Sequence, residues 1–200
     1  MLSRIAFIEG RSFPLVLKYE DVRSYVFTVG FVALGVFAPW ACHQFHLAGP
    51  TFLPMQYFVL LAGLMFGWRV GLTVGLLTPL ASYALSGMPV ANVLPQVAVE
   101  LSSYGVIAGL LREKLNLRVI WSLLGAMVGG RLALLMAIGV VSLVAGESYS
   151  ALGVESSPLL AVWVVVKQGW PGIIIQLASI PVFVFLVEKL VTKRSVFRNG

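Results

Sequence analysis

Charge is scarce in this chain. Asp, Glu, Lys and Arg together make up 11% of its 200 residues, against 59% hydrophobic residues, where a soluble domain carries about 25% charge. That shortage excludes an ordinary water-soluble fold. The single cysteine, Cys42, excludes an internal disulfide and a thiolate metal site. Pro39-Trp40-Ala41 is a poor approach to a lipoprotein processing site, so Cys42 reads as a small apolar residue within a helix. No G-x-x-x-x-G-K-[ST] segment is present, so the chain itself is not expected to hydrolyse ATP. No nucleophile–base pair or opposed carboxylates argue for catalysis. His43 and His46 lie three apart without further ligands, which suits loop residues better than a metal centre. No cofactor is expected.

What the chain has is long apolar runs, near 24–42, 54–86, 93–111, 119–145 and 158–190, with mean hydropathy +0.95. They are too continuous for barrel strands of alternating polarity, so the expected class is an all-α integral membrane protein. One domain over 1–200 is expected, because little lies outside the runs. The first run begins late and follows a mixed-charge stretch, unlike a cleaved leader. The net charge of +6 sits at the ends of the runs, where it reports orientation and not nucleic-acid binding.

The second run exceeds 30 residues, about 50 Å as one helix against a hydrocarbon core of about 30 Å. It contains Gly63, Gly67, Gly71 and Gly75 at four-residue spacing, and one charge, Arg69. Taken as a single span, it leaves four basic residues inside and seven outside. Broken at Phe66-Gly67-Trp68-Arg69, it leaves twelve basic loop residues inside and none outside, and loops 43–53, 87–92 and 146–157 contain no Lys or Arg. The positive-inside rule therefore predicts a six-transmembrane-helix bundle with both termini cytoplasmic. The spans are about 24–42, 54–67, 70–86, 93–111, 119–145 and 171–190. Lys167-Gln-Gly-Trp-Pro-Gly172 is expected to interrupt the last run, leaving 158–168 as an outer segment. Residues 1–22 are expected to form a cytoplasmic or interfacial segment.

Two ionisable residues fall deep within spans, Glu100 and Arg131. Each costs about 3 kcal/mol on insertion scales, so both are expected to face the bundle interior. They suit either a buried ion pair that fixes packing or the lining of a ligand cavity, and both can hold together. Gln96 shares a helix face with Glu100, and Asn92, Ser103 and Tyr104 extend roughly that face. Gln56, Lys167, Trp170 and Gln176 fall in the same outer half, while the inner half is comparatively apolar. The candidate substrate-binding set is thus Gln56, Asn92, Gln96, Glu100, Tyr104, Arg131, Lys167, Trp170 and Gln176. A stand-alone secondary transporter or channel is the competing reading, but needs polar residues along both halves.

Phe52-Leu-Pro-Met-Gln, the glycine ladder, Thr78-Pro-Leu-Ala-Ser and Leu85-Ser-Gly-Met-Pro follow one another in order. Val99-Glu-Leu-Ser-Ser-Tyr-Gly, Gly129-Gly-Arg and Gly169-Trp-Pro-Gly-Ile-Ile-Ile-Gln continue the series. Over about 25–190 it resembles the substrate-binding S component of energy-coupling factor (ECF) vitamin transporters. The resemblance implies a six-helix bundle in a bacterial or archaeal cytoplasmic membrane that binds one vitamin-like molecule from outside. It implies assembly with a transmembrane coupling subunit and two cytoplasmic ATPases. It also implies that the His43–Leu53 loop covers the ligand. The family's Ala-x-x-x-Ala docking pattern on the first helix is absent here. Gly30, Ala33 and Ala38 are the nearest substitutes for that partner-helix contact.

Overall fold

The computed structural model describes residues 22–44, 49–145, 148–150 and 153–198. The N-terminal segment 1–21 and His46 lie outside them. The elements are α1 (Val22–Gln44), α2 (Gly49–Phe52), α3 (Pro54–Phe66), α4 (Trp68–Ser86), α5 (Leu94–Glu113), α6 (Val119–Ala145), β1 (Ser148–Ser150), β2 (Gly153–Glu155) and α7 (Pro158–Arg198). Among the described residues, four helices are long and apolar enough to cross a membrane, over Val22–Cys42, Leu94–Glu113, Val119–Val144 and Pro158–Leu190. Helix α3 is apolar but only 13 residues long. Many large apolar side chains point outward, among them Val29, Phe37, Val128, Met136, Leu143 and Phe183. In water such a surface would aggregate; against lipid it is the expected exterior.

The long apolar run does break within Phe66–Arg69. Gly67 separates α3 from α4 at φ 91°, ψ 174°, a region open essentially to glycine alone. Its N–H donates to the Gly63 carbonyl, and its carbonyl accepts from Gly71 N–H, both at 3.0 Å. One residue thus ends one helix and starts the next without a side-chain cap.

The glycine ladder serves a third helix. A Cβ on Gly63 would stand 2.5 Å from the Gly105 carbonyl oxygen, and one on Gly75 would stand 2.5 Å from that of Leu101. Gly71 and Gly105 meet backbone to backbone, and Gly109 passes over Gly67 and Trp68. Helix α5 therefore lies directly on the α3–α4 hairpin, parallel to α3 and antiparallel to α4. Around this crossing sits the core of Val59, Leu60, Leu64, Phe66, Val70, Val74, Leu101 and Tyr104. Helix α1 closes one side, where Phe27 stacks on Phe66 at 4.5 Å and Gly35 seats Thr78.

The expected interruption of the last run does not occur. Helix α7 continues from Pro158 to Arg198, with Pro171 and Pro181 inside it. Segment 158–168 and span 171–190 are therefore parts of one helix. In an apolar setting, neighbouring helices support the backbone groups that a proline frees. The two glycines have another task. A Cβ on Gly172 would stand 2.7 Å from the Phe52 carbonyl, and one on Gly169 would stand 2.9 Å from the Leu53 side chain. They seat the short α2 segment and its junction with α3 on the face of α7. Loop 146–157 also departs from expectation by containing an antiparallel ribbon, with Ser148 opposite Glu155 and Tyr149 opposite Val154.

Candidate functional site

Helix α5 carries three polar side chains on one face. Gln96, Glu100 and Tyr104 follow at four-residue intervals, so they stack along one stripe, and all three are buried. The Tyr104 hydroxyl donates to Glu100 Oε1 at 2.8 Å. Arg131 Nη1, from α6, donates to the same oxygen at 2.6 Å. Gly129-Gly130-Arg131 makes this geometry possible. A Cβ on Gly130 would overlap the Tyr104 ring, and one on Gly129 would strike Ile107. Without those side chains α6 closes on α5, and the next residue reaches Glu100.

The pair is nearly sealed, with side-chain exposures of 14% for Arg131 and 10% for Glu100. Its second guanidinium nitrogen, Nη2, is buried without a hydrogen-bond partner. Gln96 is more unusual, since its Oε1 and Nε2 are both buried and unpaired. An unmade hydrogen bond of this kind costs about 1–3 kcal/mol per group.

A second set of amides lies at the same end of the bundle. Because α3 and α5 run parallel through the Gly63–Gly105 contact, Gln56 and Gln96 both precede that crossing. Gln56 is seven residues before it and Gln96 nine, about 10 to 14 Å. Gln176 on α7 donates from Nε2 to the Leu53 carbonyl at 3.3 Å, and its Oε1 is buried without a partner. Gln176 therefore ties α7 to the start of α3.

The other candidates are dispersed. Asn92 is exposed in the turn before α5, and Lys167 and Trp170 are exposed on α7. Gly30 and Ala33 are exposed on α1 and Ala38 is half-buried. A Cβ on Gly30 would meet nothing within 4 Å. Among the described residues, no group of three His, Cys, Asp or Glu could hold a metal ion.

A second ion pair, between a buried arginine and a half-exposed glutamate, escaped the sequence reading. Arg112, counted there as a loop residue, is 7% exposed and bonds Glu188 of α7. Both stand at the ends of apolar runs, where an interfacial position is the ordinary expectation. Nearby, Trp68 N–H donates to Glu113 Oε2 at 3.4 Å, placing a carboxylate at the start of α4. The one available signal was an arginine and a glutamate, Arg112 and Glu188, each near the end of an apolar run.

No curated protein and no solved structure matches the chain significantly. A family profile described as "ECF transporter, substrate-specific component" matches residues 24–184. That stretch contains every residue of the polar stripe, and the chain belongs to the substrate-specific components of ECF transporters.

Proposed function

We propose that this chain is the membrane-embedded substrate-binding subunit of an ECF-type importer. It captures a vitamin-like small molecule from outside a bacterial or archaeal cytoplasmic membrane. It delivers that molecule through a transmembrane coupling subunit powered by two separate ATPases. One observation carries the reading: a buried polar stripe, Gln96–Glu100–Tyr104 with Arg131, that leaves hydrogen-bonding atoms unmatched. Binding sites of this kind combine apolar walls with a few placed polar groups.

The charge distribution supports six spans with both termini cytoplasmic, which puts the stripe in the outer half of the membrane. The proposed site takes in Gln56 and Gln176, buried at that same end, and the exposed Asn92, Lys167 and Trp170 are assigned to its approach. Beyond Tyr104 toward the α3–α4 turn, Gly105 and Gly109 pack backbone to backbone on α3 and α4, which suits a binding subunit better than a continuous pore. Gly30 and Ala33, exposed on α1, are assigned with half-buried Ala38 to the contact with the coupling subunit.

The test is retention of substrate. Purified protein is expected to release a bound small molecule on heating, identified by mass spectrometry. Arg131→Ala and Glu100→Gln are expected to lower that retention at least ten-fold while the protein still melts cooperatively. Unchanged retention in both variants removes the site assignment.

A further inference from the structure

We infer that the molecule recognised at this stripe is uncharged and presents an amide-type edge, a hydrogen-bond donor beside an acceptor, as in a lactam, ureide or carboxamide. The inference rests on the binding-subunit reading above and names the substrate class.

Charge balance comes first. Glu100 and Arg131 neutralise each other at 2.6 Å. Among the described residues the other buried charged side chain is Arg112. It lies twelve positions further along α5, about 18 Å away, and is already paired with Glu188. Lys167 is exposed and supplies no buried cation. The stripe therefore sums to zero charge. A carboxylate or phosphate entering it would be a buried ion without a counter-ion, which is strongly unfavourable in a low-dielectric site. A zwitterion would have to separate the existing pair.

Unmet hydrogen bonds come second. Gln96 lacks a partner at both Nε2 and Oε1. The group that answers a primary amide at both atoms is another amide edge, with its carbonyl facing Nε2 and its N–H facing Oε1. Arg131 Nη2 offers a further donor, and Gln168 Oε1 and Gln176 Oε1 on α7 further acceptors, so the complement again contains both kinds of atom.

The full chain in lipid nanodiscs is incubated with a total small-metabolite extract of cells, washed, and heated. Released compounds are identified by mass spectrometry. The expected compound is uncharged at pH 7 and carries a lactam, ureide or carboxamide. Gln96→Leu, or Gln96→Met if the first variant does not insert, is expected to retain at least ten-fold less of it. Its empty form should melt no lower than the unaltered protein, because a buried, unpaired amide has been removed. That pairing of lost binding with kept stability separates recognition from a packing role. Retention of a carboxylate or phosphate overturns the substrate class and leaves the binding reading standing. Equal retention by the Gln96 variant overturns it also. If the unaltered chain retains nothing, the binding reading fails and the class fails with it.

Discussion

At the scale of single residues, the most consequential contact is the shared oxygen of Glu100. Tyr104 and Arg131 both donate to Oε1, so removing either donor disturbs the other. Deleting Arg131 strands a buried carboxylate, an error that costs about 3–5 kcal/mol when one partner of a sealed pair is lost. Exchanging Glu100 for Gln removes charge but keeps an acceptor. A double-mutant cycle of Glu100→Gln and Arg131→Gln is therefore expected to give a coupling energy of about 0.5–3 kcal/mol, read from thermal or denaturant unfolding in detergent. Strictly additive single effects would mean that the two charges do not depend on each other. This pair was legible in the sequence because ionisable residues within apolar runs must find partners. The pair Arg112–Glu188 was not, since residues at run ends satisfy the same cost by reaching headgroups or water.

At the scale of elements, glycines set the spacing and fall into two kinds. Gly63, Gly71, Gly75 and Gly105 face another backbone, and a side chain there must force helices apart. Gly30 faces open space. Gly105→Ala is therefore expected to lower the melting temperature by several degrees. Gly30→Ala should leave it unchanged or raise it, as alanine exceeds glycine in helix propensity by about 1 kcal/mol. The same thermal scan tests Gly67→Ala, for which a residue forced to φ 91° predicts a loss of about 1–3 kcal/mol. The position of the α3–α4 break could be read beforehand because one arginine in a glycine-rich apolar run redistributes the whole charge count. The continuity of α7 could not. Trp170-Pro171-Gly172 in isolation signals a helix end, and only the α2 junction resting on Gly169 and Gly172 shows why small residues are placed there. The ribbon at 148–155 was equally hidden, because strands of three residues carry too few alternating positions to register a period.

For the whole molecule, two surfaces differ in kind. One end of the bundle gathers buried amides and the Glu100–Arg131 pair, held by contacts among α3, α5, α6 and α7. The other surface is the outward strip of α1, with Gly30 and Ala33 exposed and no neighbour within reach of Gly30. If α1 merely meets lipid, its residue sizes are of no consequence, since lipid tails adapt to side chains of any shape. If α1 receives a helix of the coupling subunit, small residues are required, because they let two backbones approach closely in the membrane. Gly30→Leu combined with Ala33→Leu separates these cases. Both positions point away from the core, so substrate retention by the isolated chain is expected to stay within about two-fold of the unaltered protein, a difference of roughly 0.4 kcal/mol. Co-purification with a co-expressed coupling subunit, and uptake in the presence of the ATPases, are expected to fall at least ten-fold. Normal assembly by the double variant would move the docking face elsewhere on the molecule. A parallel loss of retention would show that α1 shapes the substrate site itself. A loss confined to assembly and uptake would assign binding to the polar end and transmission to α1, two tasks on separate surfaces of one small bundle.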